Sequence, residues 1–323
     1  LTQPNLQGEV SLSFSIKTYD RTYLEGITAI CNTETDFEPH IAPLTPERFT
    51  ELVESKSYFD PEGLFVAMEE GKVVGWVHAC VAPGSEGHHK PENKVPRIRM
   101  LIFPRDRLKV GSALVAEATA WLKKSGQERF LAIHAQEGYP FYRGLWMGGE
   151  PMCPMTLPHV HLVLEVGGYK NTQESIFMAI EMLSPPKEIK PSIAVEYAHA
   201  AAEMAHEPMR ESWIGFEPMR TRAFVGGEEV GSIAWVILTH VADRLGAPCM
   251  NVWGLGVREQ YRRKGIATAL VLQAMARSYG LGARFASVGT QLWNAPAHAT
   301  YAKIGFKPYC MVAGRTLELA GNE

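Results

Sequence analysis

The chain of 323 residues lacks a long apolar run. No uninterrupted stretch approaches the roughly 20 residues that cross a bilayer, so no membrane partner is expected. Charge of either sign is not in excess: 32 basic residues stand against 35 acidic ones, a formal net charge of -3. That balance gives no electrostatic reason for nucleic acid as the main partner. Cysteine is sparse and unpatterned. Cys31, Cys80, Cys153, Cys249 and Cys310 are odd in number and contain no C-x-x-C, which fits free, buried thiols in a reducing cytoplasm better than a disulfide framework. The first residues, Leu1 to Gly8, lack the basic-then-apolar plan of a secretory signal. No metal set is legible either. His88 and His89 have no further ligands near them, and a solvated loop is the expectation there.

What is present is an ordinary globular composition, 46% hydrophobic and 21% charged, in a length suited to two domains. The joint is expected at Ser184 to Pro191, where proline and charge concentrate after an apolar strand. This divides the chain into a first domain over 10–183, a linker over 184–191 and a second domain over 192–323. Both halves carry a hairpin with a polar glycine turn, Leu64 to Val77 and Thr221 to Leu238. Each hairpin is followed by strand, turn, helix, strand and helix, an order that argues for tandem duplication. Thr45 is placed to cap a helix with Pro46 in its first position. The alanine-rich stretch from Ile193 to Met204 reads as partly helical.

The chemistry concentrates between Met250 and Phe306. An apolar strand, Met250 to Val257, runs into the turn Tyr261-Arg262-Arg263-Lys264-Gly265-Ile266-Ala267, and a proline-free amphipathic segment from Thr268 leaves it. A helix start has unpaired N–H groups and the positive end of the dipole, which suit a phosphate. Gly265 and Ala267 are small enough for close backbone approach, and Arg262, Arg263 and Lys264 add cationic character. Alone, such a hexapeptide reads as a solvated basic turn. Its context reverses that: Gly254 and Gly256 within the preceding strand mark a bulge or an open edge, and Leu255, Gly256 and Val257 could pair with an extended amide-containing arm. Further on stand Asn294, Ala297, Tyr301, Lys303, Gly305 and Phe306, with the Tyr301 phenol in reach of a general-acid role or of simple packing beside Phe306.

These two motifs resemble the acetyl-CoA-binding core of the GNAT superfamily of N-acetyltransferases. Arg262-x-x-Gly265-x-Ala267 matches the family's pyrophosphate loop, and Asn294 to Phe306 matches its N-x-x-A-x-x-x-Y-x-K-x-G-F signature. The resemblance implies a mixed α/β sheet in two tandem acyltransferase domains, the arrangement of mycothiol synthase. It implies acetyl-CoA as co-substrate, with Leu255 to Val257, Arg262 to Thr268 (including Ile266) and Asn294 as its contacts and Tyr301 as acid. The implied reaction is transfer of an acetyl group to a primary amine, by direct attack in a ternary complex. The implied partner is a small-molecule amine, with a homodimer left open. Two readings stand beside it. One is a non-catalytic CoA-binding scaffold; the other, a P-loop nucleotide enzyme, fails because lysine precedes glycine with no Ser or Thr directly after.

The first half keeps the order but not the residues. Arg105 to Leu114 lies opposite the phosphate turn with Lys109 at the place of Gly265 and Asp106 at that of Arg262; a slip of two residues would instead bring Gly111 opposite Gly265. Leu157, Leu164, Gly168 and Tyr169 fall opposite Asn294, Tyr301, Gly305 and Phe306. A degenerate domain is expected there. His159 and His161, two apart on a helix, point to different faces and are not read as ligands. The stretch Gly138 to Pro154 is expected to pack on the other half or to line a pocket. Glu196, Glu217, His240 and Asp243 are candidates for the base, none with a motif around it.

Overall fold

In the computed structural model the described residues are 13–83, 93–133, 140–149, 154–186, 194–199 and 207–319. His88 and His89, Cys153, most of the proline-rich joint and residues 200–206 lie outside them. The first half runs β1 (Ser15–Thr18), α1 (Leu24–Thr35), α2 (Pro46–Phe49), β2 (Leu64–Glu69), β3 (Lys72–Pro83), β4 (Lys94–Ile102), α3 (Leu108–Lys123), β5 (Arg129–Ala132), α4 (Pro158–Val166) and β6 (Lys170–Glu181). The second runs β7 (Ala194–His199), α5 (Glu207–Ser212), β8 (Met219–Val225), β9 (Glu228–Leu238), α6 (Ala242–Leu245), β10 (Cys249–Val257), α7 (Ile266–Gly280), β11 (Phe285–Gln291), α8 (Ala295–Ile304) and β12 (Lys307–Glu318). The mixed α/β sheet and the repeated element order are as the sequence predicts.

Local chemistry explains several boundaries. The Thr45 hydroxyl accepts a hydrogen bond from Arg48 N–H at 3.2 Å with Pro46 in the first helical position, the cap expected from sequence. In α3 the residues Val110, Leu114, Val115, Ala118 and Leu122 are buried, one stripe at helical spacing. The alanine-rich stretch departs from expectation. Ala194 to His199 is a strand, paired antiparallel along β8 from Ala194↔Phe224 to His199↔Met219. Sheet pairing with the exposed edge of β8 overrides alanine's helical preference.

All the described strands join one sheet, in the order β1-β2-β3-β4-β5-β12-β6-β11-β10-β9-β8-β7. Its centre is an exchange. β12, from the second half, lies between β5 and β6 of the first, while β6 lies between β12 and β11 of the second. Each half therefore completes the other's sheet edge.

Strand alternation divides the buried residues between two faces. On one face α3 and α4 cover Val77, Ala79, Ile98 and Leu101, and α7 and α8 cover Met250, Val252, Ala286 and Val288. On the other lies a core shared by both halves, with Ile27, Phe49 and Trp76 from the first and Val236, Leu238 and Cys249 from the second. Phe141, Tyr142, Leu145, Trp146 and Met147 form a wedge within this shared core. This is the packing expected for the stretch after Gly138, so far as it is described. Polar contacts reinforce the junction. Arg48 Nη2 pairs with Asp243 at 2.7 Å, Ser57 N–H donates to Glu211 Oε1 at 2.6 Å, and Lys56 Nζ donates to the Glu211 carbonyl at 3.0 Å.

Candidate active site

The site begins where two parallel strands part. β10 and β11 pair from Cys249↔Phe285 to Val252↔Val288 and no further. On its other side β10 carries a bulge at Trp253, because Val252 pairs with Trp235 and Gly254 with Ala234. A bulge bends its strand, and here it turns Trp253–Val257 away from β11. The glycines in this strand do sit at an opened edge: a Cβ on Gly256 would meet nothing within 4 Å. The cleft between the parting strands measures about 1100 Å³.

The turn after β10 forms its cationic end. Gly265 caps α7 with φ +79°, and Arg263 is also left-handed at φ +65°. A left-handed residue next to a helix start turns successive N–H groups to one side, a concavity for an anion. The start of α7 has no side-chain cap, and the first intrahelical bond is Ala269 N–H to the Gly265 carbonyl. The N–H groups before it are left to a ligand or solvent. Neighbouring side chains fix the turn. Tyr261 donates its phenol hydrogen to Glu228 Oε2 at 2.9 Å, Arg258 pairs with the same carboxylate, and Arg262 Nε donates to the Val257 carbonyl at 3.1 Å.

The far wall is α8. Asn294 accepts from Ala297 N–H at 3.4 Å, so it caps this helix as well as lining the cleft. Tyr301 is buried, lies against Phe306 with ring centroids 5.7 Å apart, and faces the cleft. Burial pushes its phenol up to about 12, so it stays protonated at neutral pH.

Of the residues singled out from sequence, Leu255, Gly256, Val257, Arg262, Arg263, Gly265, Ile266, Ala267, Thr268, Asn294 and Tyr301 all line this one cleft. Lys264 lies outside the wall, its ammonium 5.2 Å from the centre of the Tyr261 ring. Sequence reasoning missed Gly289 and Thr290, which follow Val288 where β11 leaves its partner, and Glu228, which anchors the turn from a hairpin. The signal for the first two was their place just past an apolar strand core. For Glu228 there was none.

The base candidates do not converge. Glu196, Glu217 and Asp243 are exposed, Asp243 is paired with Arg48, and His240 lies against the Phe216 ring at 5.3 Å with its pKa lowered by burial. Among the described residues, no aspartate, glutamate or histidine lines the cleft. The two histidines of α4 also diverge. His159 Nε2 bonds the Phe103 carbonyl at 3.1 Å and His161 Nε2 the Pro154 carbonyl at 3.3 Å. No group of three metal-ligating side chains occurs among the described residues.

The first half has the same beginnings. β4 and β5 pair only at Arg97↔Leu131 and Ile98↔Ala132, and β4 bulges at Arg99. The buried stripes of α3 and α7 align Val110 with Ile266, Leu114 with Leu270 and Ala118 with Ala274. That register sets Lys109 opposite Gly265, the first of the two read from sequence. Here, however, the helix starts earlier, with Arg107 as cap at φ -104°, so the left-handed turn is gone. Arg107 makes two bonds to the Glu69 carboxylate, at 2.8 and 2.9 Å. The Phe103 ring lies against Gly111, where an added Cβ would meet it at 2.4 Å, and His159 stacks edge-on to that ring at 4.8 Å. Phe103 and His159 thus bridge the end of β4 and the start of α4, elements whose counterparts in the second half flank an open cleft. Leu164 takes the place of Tyr301 and brings no phenol.

Comparison with known proteins agrees with this geometry. The family model described as Acetyltransferase (GNAT) family matches residues 27–145 and again 181–306. A tandem GNAT protein from the clavulanic acid biosynthesis pathway is similar in structure, with TM-score 0.66 at 15% identity over 96% of this chain and 100% of that one. A GCN5-related N-acetyltransferase from Sphaerobacter thermophilus follows, with TM-score 0.62 at 15% identity over 95% and 96% of the two chains. A glucosamine N-acetyltransferase region of a fungal multi-domain β-N-acetylglucosaminidase has TM-score 0.66 at 14% identity, covering 98% of this chain and 40% of that one. Comparison with curated proteins gives no match.

Proposed function

The chain belongs to the acetyltransferase (GNAT) family and is an acyltransferase, and on that premise we propose that it moves an acetyl group from acetyl-CoA to the primary amine of a small molecule, in its second half. Membership sets aside the reading as a non-catalytic scaffold. We take the chain as two such domains, 10–183 and 192–323, joined over 184–191, with only the second binding the co-substrate.

The observation that carries this is the left-handed turn at Arg263 and Gly265, opening on a cleft that ends at the Tyr301 phenol. The N–H groups at the start of α7 hold the pyrophosphate, with Arg262 and Arg263 at the rim. The unpaired edge of β10 at Leu255–Val257 holds the pantetheine amides and offers an N–H to the thioester oxygen. Asn294 keeps the start of α8, and with it Tyr301, in place.

The acceptor's neutral nitrogen attacks the thioester carbonyl carbon directly, a C–N bond forms, and the C–S bond breaks. Tyr301 donates a hydrogen bond to the sulfur as negative charge develops there. A phenol near 12 is a weaker acid than a thiol near 8.5, so this bond stabilises the thiolate, and its full protonation follows as the attacking nitrogen, cationic once the C–N bond has formed, sheds its proton to give the amide. Among the described residues no acidic or imidazole side chain lines the cleft, so that proton passes to the sulfur through water. A small-molecule acceptor is in keeping with the sugar-amine activity named for the fungal relative.

The test is thiol release. Free CoA should appear from acetyl-CoA when a library of small amines is presented, and calorimetry should find one CoA site per chain. Two sites per chain, or release only with basic peptides, would overturn the reading.

A further inference from the structure

The point where β10 and β11 part is fastened from the other half of the chain. Asn251 and Ser287 are the register pair one step before the last one, Val252↔Val288. Their side chains turn to the face opposite α7, where Asn251 Nδ2 donates to Ser287 Oγ at 3.1 Å. Ser287 Oγ in turn donates to the backbone carbonyl of Met147 at 2.5 Å, and Asn251 Nδ2 approaches the same carbonyl at 3.4 Å. Asn251, Ser287 and Met147 are all buried, at 2%, 0% and 1% exposure, so no solvent competes for these bonds. One carbonyl of the first half thus accepts from one side chain on each of the two parting strands.

Two further contacts run from the same wedge to the same place. Gly149, at φ +84°, brings its backbone so close to Asn251 that an added Cβ would lie 2.5 Å from Oδ1. Arg143 lies over the Trp213 ring at 4.0 Å, and Trp213 packs on Trp253, the bulge residue, at 5.5 Å. The wedge therefore meets β10 at residue 251 and, through Trp213, at residue 253, on either side of the point where its pairing with β11 ends.

We propose that the Met147 carbonyl with Asn251 and Ser287 forms a clasp, through which the first half sets the opening of the cleft in the second. In this role Asn251 and Ser287 are positioning residues: they hold the angle at which the strand edge Leu255–Val257 leaves β11. The degenerate half is thereby a working part of the site and not a vestige. The effect on co-substrate rests on the reading of the cleft given above; the clasp itself does not.

Hydrogen exchange in the ligand-free full chain, together with titration of CoA, tests this in Ser287→Ala and in Gly149→Ala, the second altering only the first half. Exchange over 252–257 and 288–291 should quicken by about tenfold, the worth of one buried hydrogen bond, with the β8–β9 hairpin unchanged and CoA binding weakened by a similar factor. Unchanged exchange in both variants overturns the clasp, and so does a uniform quickening across the whole second half, which would mark a general loss of stability. If the unaltered protein takes up no CoA, the reading of the cleft fails while the exchange pattern still decides the clasp.

Discussion

Leu164 and Tyr301 hold the same place in the two halves. Tyr169 N–H donates to the Leu164 carbonyl at 2.9 Å, and Phe306 N–H donates to the Tyr301 carbonyl at 3.1 Å. The backbone turn is kept and the phenol is not. Tyr301→Phe should lower kcat by roughly a hundredfold, the usual scale for loss of one hydrogen-bond donor to developing charge, with CoA affinity nearly kept. Steady-state kinetics beside calorimetry separates the two, and unchanged turnover would remove Tyr301 from the chemistry.

Gly265→Glu should abolish measurable CoA binding. It forces a side chain onto φ +79° and sets a carboxylate where phosphate charge would lie. Lys109→Glu, at the corresponding place on the exposed start of α3, should change binding little. Equal losses in calorimetry would mean that the first half also takes up the co-substrate.

The pH profile carries a sign. Tyr301 is raised from 10.0 to about 12 by burial, so the folded protein keeps this proton where the unfolded chain loses it. Stability is at its reference level below about pH 10 and falls as pH rises towards 12, and the loss should be smaller in Tyr301→Phe by thermal melting. Between pH 6 and 9 the phenol does not titrate. A descending limb of kcat in that range that vanishes in Tyr301→Phe would contradict the assignment.

On the acid side the relevant group is His78, fully buried and lowered to about 3 by burial and then by Arg99. The unfolded chain binds this proton near 6.5 and the folded one does not, so stability falls as pH drops from about 6.5 towards 3. The slope is at most roughly 1.4 kcal/mol per pH unit. His78→Gln should flatten the dependence of melting temperature on pH in that window; an identical slope would show that another group governs acid unfolding.

Much of the site was legible because it is local. The turn Arg262 to Ala267 and the run Asn294 to Phe306 are each short stretches of chain, and all of the first but Lys264, with Asn294, Ala297, Tyr301 and Lys303 of the second, lines the cleft. The departure of the first half from this turn was legible for the same reason, down to Lys109 opposite Gly265. The contact of Phe103 with His159 was not, since the two are far apart in the chain and meet only through the packing of α4 on α3 and β4. The clasp is less legible still: nothing in Met147, Asn251 or Ser287 marks them, because one partner is a backbone carbonyl. The strand from Ala194 misled because alanine content reports helical preference and not the open edge of β8 waiting beside it.

Separated halves should fail together. A fragment over 184–323 lacks β6, leaving the edge of β11 bare, and a fragment over 13–183 lacks β12 beside β5. Each alone is expected to be insoluble or to pair with itself, and co-expression should restore soluble protein that binds CoA. A soluble, CoA-binding second half by itself would contradict this.

The exchange of β6 and β12 also orders events in time. Arg129–Ala132 leaves the ribosome long before Lys307–Glu318, the strand that pairs with it. During that interval the first half cannot finish its sheet, whatever its local preferences, and its folding must wait on the second. A substitution in β12 would then show itself first as a defect of nascent-chain maturation, felt in the half of the molecule that was made earlier.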